Sequence, residues 1–132
     1  MNFQIFTREM RSYQYYKDRI PELKEKIDDI YYKYSGVKAI RYDKIPSTPL
    51  PNIELILWEQ MSRELEEPER QLKKAKDRVR ECEENLAKLP KDVQEMCIRL
   101  FIEEKTYDIV CFEYGYSKHG LWEKVKREVE KI

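Results

Sequence analysis

Glycine is nearly missing from this chain, with three in 132 residues. So few glycines leave little material for the tight turns of a hairpin-rich sheet, and the composition reads as helical. Histidine is scarcer still, at one. The three cysteines, Cys82, Cys97 and Cys111, form no C-x-x-C pair. One histidine and scattered cysteines do not make a zinc site of the usual kind, and no metal is expected. Each cysteine falls on an apolar stripe, so buried reduced thiols of a cytosolic protein are expected. No apolar run reaches the roughly eighteen residues of a membrane span, and no basic-then-apolar leader is seen. There is no phosphate-cradling glycine loop and no Ser/His/Asp or Cys/His set with supporting context. Carboxylates are abundant, but on faces expected to be solvated, so neither catalysis nor a cofactor is expected.

Net charge is also missing: Lys plus Arg and Asp plus Glu both number 26. What is present is charge in quantity, 39% of residues, arranged at helical period. An all-α fold follows, and 132 residues set a single modest core. In residues 3–35, Phe6, Tyr13, Ile20, Ile27 and Tyr34 recur every seven, with Tyr16, Leu23 and Ile30 three later. Pro21 either opens a second helix or kinks one continuous helix. The clustered tyrosines are read as packing residues with wet hydroxyls. Gly36 is expected to end this helix. Residues 36–52, with Pro46, Pro49 and Pro51, read as a solvated connector.

The clearest period runs over residues 53–89. Trp58, Met61, Leu65, Pro68, Leu72, Ala75, Val79, Cys82, Leu86 and Leu89 alternate steps of three and four between charged flanks. Pro68 is the one poor occupant, marking a kink or a fresh helix. Two such helices pack most simply as an antiparallel hairpin over residues 1–89; a parallel homodimer through the Trp58–Leu89 seam competes, and both can hold at once. Leu89-Pro90 closes the rod, which sets a boundary near residue 90.

Residues 90–132 read as three short helices. Val93, Met96, Cys97, Leu100 and Phe101 repeat from Asp92, a candidate cap, to Lys105. Thr106 caps a second helix, Gly115 supplies a left-handed stop, and Ser117 caps a third. Leu121, Val125, Val129 and Ile132 stripe that last helix. This is the sequence form of a helix-turn-helix, whose second helix lies in the DNA major groove. On that helix Lys118, His119 and Trp122 occupy the first turns, where base edges are met, and Lys126 and Arg127 are the favoured phosphate contacts. Double-stranded DNA is the expected partner. Against this stands the charge of Lys91–Ile132, 8 cations to 9 acids, a net of −1. Non-specific affinity comes from phosphate neutralisation. Binding is therefore expected to be weak unless charge is segregated by face or the site is doubled. A terminal helix with its glutamates foremost would favour a protein-only role.

The order of parts is a long amphipathic helix, then Val37-Lys-Ala-Ile-Arg-Tyr-Asp-Lys-Ile-Pro46, then a charged heptad helix, then the Thr106–Ile132 unit. It resembles the ArpU/RinA-like regulators of late transcription in phages and prophages of Gram-positive bacteria, whose C-terminal part looks like region four of sigma factors. The resemblance covers nearly the whole chain and rests most on Tyr42-Asp43-Lys44 and on Thr106–Ile132. It implies a late-gene regulator binding promoter DNA alongside RNA polymerase in the cytoplasm of a bacterial host. Carried over by position, Thr106 and Asp108 begin the support helix, Gly115 is the turn and Ser117 caps the recognition helix. Two other readings stay open: the small DNA-recognition subunit of a phage terminase, and an interaction module that grips protein without DNA.

Overall fold

The computed structural model describes residues 1–43 and 51–132, with side chains described for 1–35 and 54–132. The elements are α1 (Phe3–Asp43), α2 (Pro51–Ala87), α3 (Lys91–Cys97) running on into a π-helical turn (Ile98–Ile102), α4 (Tyr107–Tyr114) and α5 (Lys118–Glu130). The fold is all-α, with no strand among the described residues. No helix there is long and apolar enough to cross a membrane.

Of the two readings of Pro21, the continuous helix holds: the proline sits inside α1 without a break. Pro21 is exposed, so water can take the Lys17 carbonyl that a proline leaves without its amide partner. The expectation for Gly36 is corrected: it does not end the helix, which continues to Asp43. A mid-helix glycine costs only about 1 kcal/mol relative to alanine, less than a well-formed helix holds in reserve. The expected connector thus shrinks from both sides. Pro51 opens α2, at a helix start, where a missing amide costs little. Residues 44–50, and the side chains of Val37–Pro46 that carried part of the family resemblance, lie outside the described residues.

The described residues divide into two compact units, Asp18–Ala75 and Met1–Lys17 with Lys76–Ile132. In the first, α1 and α2 run antiparallel: Lys33 pairs with Glu64 at 3.0 Å, while Arg19 donates to Gln71 at 3.0 Å. Ile27, Met61 and Leu65 form its core, with Ile30, Tyr34 and Leu72 packed around them. Pro68 and Ala75 are buried along the same line. α2 passes through Pro68 without a break, so the proline marks no fresh helix. Because α1 already covers this seam, a homodimer through Trp58–Leu89 would have to displace α1. Trp58 itself stands 47% exposed at the seam's end.

In the second unit the ends of both long helices share one core with α3, α4 and α5. Phe6 and Met10 from α1 and Cys82 from α2 are buried together with Leu89, Val93, Met96, Phe101, Val110, Leu121, Val125 and Val129. The expected boundary near residue 90 therefore does not separate two cores. Each large apolar side chain hidden here contributes about 1.5–3 kcal/mol, so residues 90–132 draw a substantial part of their stability from α1 and α2. The link is polar as well: the Tyr13 hydroxyl donates to Glu83 at 2.7 Å. Burial first, then that hydrogen bond, push the Tyr13 pKa up to about 12.

Candidate nucleic-acid interface

The expected cap-turn-cap chemistry of α4 and α5 is present. The Thr106 hydroxyl accepts from the Ile109 amide at 3.4 Å and starts α4. Gly115 has φ of 73°, and its amide donates to Cys111 O at 2.8 Å, closing α4. Tyr116 donates its amide to the same carbonyl at 3.1 Å. The Ser117 hydroxyl then accepts from the Gly120 amide at 3.1 Å and starts α5. Only three residues separate the helices, and both caps are made by their own side chains. Val110 on α4 and Leu121, Val125 and Val129 on α5 are fully buried, which fixes the face α5 turns inward.

Asp92 is not the cap of α3; Pro90 holds that position, and Asp92 stands in the first turn. There its carboxylate accepts from Lys124 at 2.8 Å, and Lys124 also donates to the Tyr116 hydroxyl at 2.8 Å. Lys124 thus ties α3, the turn and α5 together and is committed away from phosphate. The hydrogen bond from Lys124 holds the Asp92 carboxyl below its ordinary range, and the Asp92 bond raises Lys124. The helix before the turn also ends earlier than Lys105. It widens into the π turn, which brings Leu100 and Phe101 both inward, and ends at Ile102; just beyond, Glu104 is a non-glycine residue with φ of 54°.

Outside its buried stripe, α5 shows two rows at a spacing of four, the first flanking the stripe and the second opposite it. One is Lys118, Trp122, Lys126 and Glu130; the next is His119, Glu123, Arg127 and Lys131. The rows carry four formal cations, Lys118, Lys126, Arg127 and Lys131, against two acids, Glu123 and Glu130, a net of +2. Glu128 is turned toward the packed side, its side chain 20% exposed. Charge is therefore partly segregated by face although residues 91–132 as a whole are net −1.

Most of these cations are engaged. Lys118 pairs with Asp108 at 3.0 Å, Lys126 with Glu130 at 4.0 Å and Lys131 with Glu128 at 3.3 Å. His119 Nε2 lies 3.0 Å from Glu123. Arg127 is exposed and has no ion-pair partner among the described residues. Glu123, on the midline of the outer face, is the residue most at odds with a polyanion. Exposed pairs of this kind are worth about 0–1 kcal/mol, so phosphate can displace the acids at little cost, but their charge stays beside it.

No family model matches the chain. Neither a curated protein nor a solved structure matches it. What α5 does must therefore be argued from its own surface.

The expected site residues separate into three groups. Thr106 and Ser117 are spent on caps. Lys118, His119 and Arg127 are exposed on α5. Trp122 and Lys126 face the start of α1: the Trp122 ring meets Phe3 edge-on at 6.1 Å, with Lys126 Nζ 4.7 Å above it. Sequence reasoning left out that neighbour because nothing in a single chain links Phe3 to Trp122 over 119 positions. It also missed Phe112, exposed by 90%, and Ile109, exposed by 49%, three positions apart on α4. Among the described residues there is no cluster of His, Cys, Asp and Glu able to hold a metal.

Proposed function

We propose that this protein is a transcriptional regulator of the phage late-gene type, and that α5 contacts promoter DNA weakly by itself and firmly only beside RNA polymerase. The observation that carries the reading is the pair of short capped helices joined through left-handed Gly115, with Lys118 and the row His119, Glu123, Arg127 and Lys131 open to solvent. That arrangement suits a recognition helix. The net +2 of the rows supports phosphate contact. Glu123 and the engaged lysines argue that the contact is modest, which is where a second DNA-holding protein enters. The resemblance to ArpU/RinA-like regulators supports the same partner.

The test is a shift assay on the late promoter beside the gene, with and without polymerase. The expected result is weak, salt-sensitive binding that polymerase strengthens. Equal affinity for scrambled DNA under both conditions would contradict it. The exposed Phe112 and Ile109 favour a second reading, a module that binds protein alone. Co-purification of polymerase without any DNA binding would decide for it.

A further inference from the structure

Beside α5 lies a cleft of about 460 Å³, walled on one side by Trp122 and Lys126, which the regulator reading treats only as duplex contacts. Its two walls are helix rows at a spacing of four: Phe3, Thr7 and Arg11 on α1, and Trp122, Lys126 and Glu130 on α5. Phe101, turned inward by the π turn, completes the aromatic lining. Its volume lies within the range of small-molecule sites.

The lining is selective in kind. Phe3 meets Phe101 at 6.3 Å and Trp122 at 6.1 Å, both edge-on. The guanidinium carbon of Arg11 sits 5.9 Å over Phe101, and Lys126 Nζ sits 4.7 Å over Trp122. Each cation rests on an aromatic face, and Arg11 has no carboxylate partner among the described residues. A ligand that suits both features is planar, to stack on the rings, and anionic, to engage Arg11 and Lys126. Glu130 pairs with Lys126 at 4.0 Å, a loose contact that leaves its carboxylate able to accept from a ligand hydroxyl or amino group, and Asn2 and Gln4 complete the lining.

We propose that this cleft binds a nucleotide, its base on the aromatic wall, its phosphate on Arg11 and Lys126, and a ribose hydroxyl or exocyclic amine on Glu130. Two sources offer that chemistry, a free mononucleotide and the exposed end of a single strand. The site does not depend on α5 reading a duplex, and Arg127 takes no part in it.

Trp122 supplies the readout. With Trp58→Phe, it is the remaining tryptophan of two. The fluorescence of that protein is titrated with the four nucleoside monophosphates, a short single-stranded oligonucleotide, the nucleosides and inorganic phosphate. Saturable quenching by monophosphates in the submillimolar range, with nucleoside and phosphate each far weaker, is the expected result. Quenching by the oligonucleotide alone would assign the site to a strand end. Arg11→Ala should weaken binding at least tenfold and Arg11→Lys should restore part of it. Because Arg11 is exposed, neither change threatens the fold. Absence of saturable quenching with every ligand, or equal affinity in Arg11→Ala, would overturn the proposal and leave the duplex reading of α5 as it was.

Discussion

Gly115 is held at φ of 73° with nothing within 4 Å of the place a Cβ would take. Gly115→Ala therefore meets backbone strain alone and should destabilise the protein by about 1–2 kcal/mol, read as a shift of the urea midpoint at constant slope. Gly120 is different: a Cβ there would stand 3.0 Å from the Ser117 hydroxyl, so its smallness makes room for the cap of its own helix. The Asp92–Lys124 contact gives a pH dependence of known sign. A depressed carboxyl stabilises above its unfolded pKa and loses that contribution as pH falls through the folded value; a raised lysine is effective below its unfolded pKa and fails as pH rises through the folded one. The contact is thus complete between the ordinary carboxylate and lysine ranges. Asp92→Asn should flatten the acid limb of a stability profile relative to wild type. At this scale Thr106, Gly115 and Ser117 were legible, because a cap or a left-handed stop is decided within three or four residues. Glu104 was not: glutamate carries no preference for positive φ, and its conformation is imposed by the π turn before it.

The long helices were legible in their seams and misjudged at their punctuation. Period-seven spacing found Leu23, Ile27, Met61, Leu65 and Cys82, all buried, since apolar spacing is repeated many times along each helix. Met10 was overlooked although it follows Phe6 by four and meets Cys82 Sγ at 3.1 Å. Gly36 reads as a break and Pro21 leaves break or continuity open because each is a local signal, and continuous packing outweighs one local cost. Pro21→Ala should restore an amide N–H that donates a hydrogen bond to the Lys17 carbonyl and stabilise the chain by about 1–3 kcal/mol. A loss of stability there would mean that the proline contributes something beyond a missing amide.

Across the whole molecule, the core shared across the expected boundary near residue 90 was the part least visible in the sequence. Phe6 and Phe101 join one core across 95 positions, and a single chain gives no sign of such pairings. The same core holds the thiols. Burial raises the Cys82 and Cys97 pKa values to about 12, and Cys111 is buried too. Cys82 and Cys97 thus form little thiolate near neutral pH, and all three thiols are hidden from solvent, so a thiol reagent should leave the native protein nearly unlabelled and modify three groups after denaturation. Rapid native labelling would show that the core opens readily.

The central claim, that the outer rows of α5 face duplex DNA, is tested most directly by salt titrations of promoter binding for two single-charge variants. Arg127→Ala should weaken binding to every sequence and reduce the salt slope by about one. Glu123→Gln, on the same row, should bind several-fold tighter. Opposite movements of that size support the account. Unchanged affinity and slope in both variants would remove α5 from the DNA and leave a role confined to protein partners.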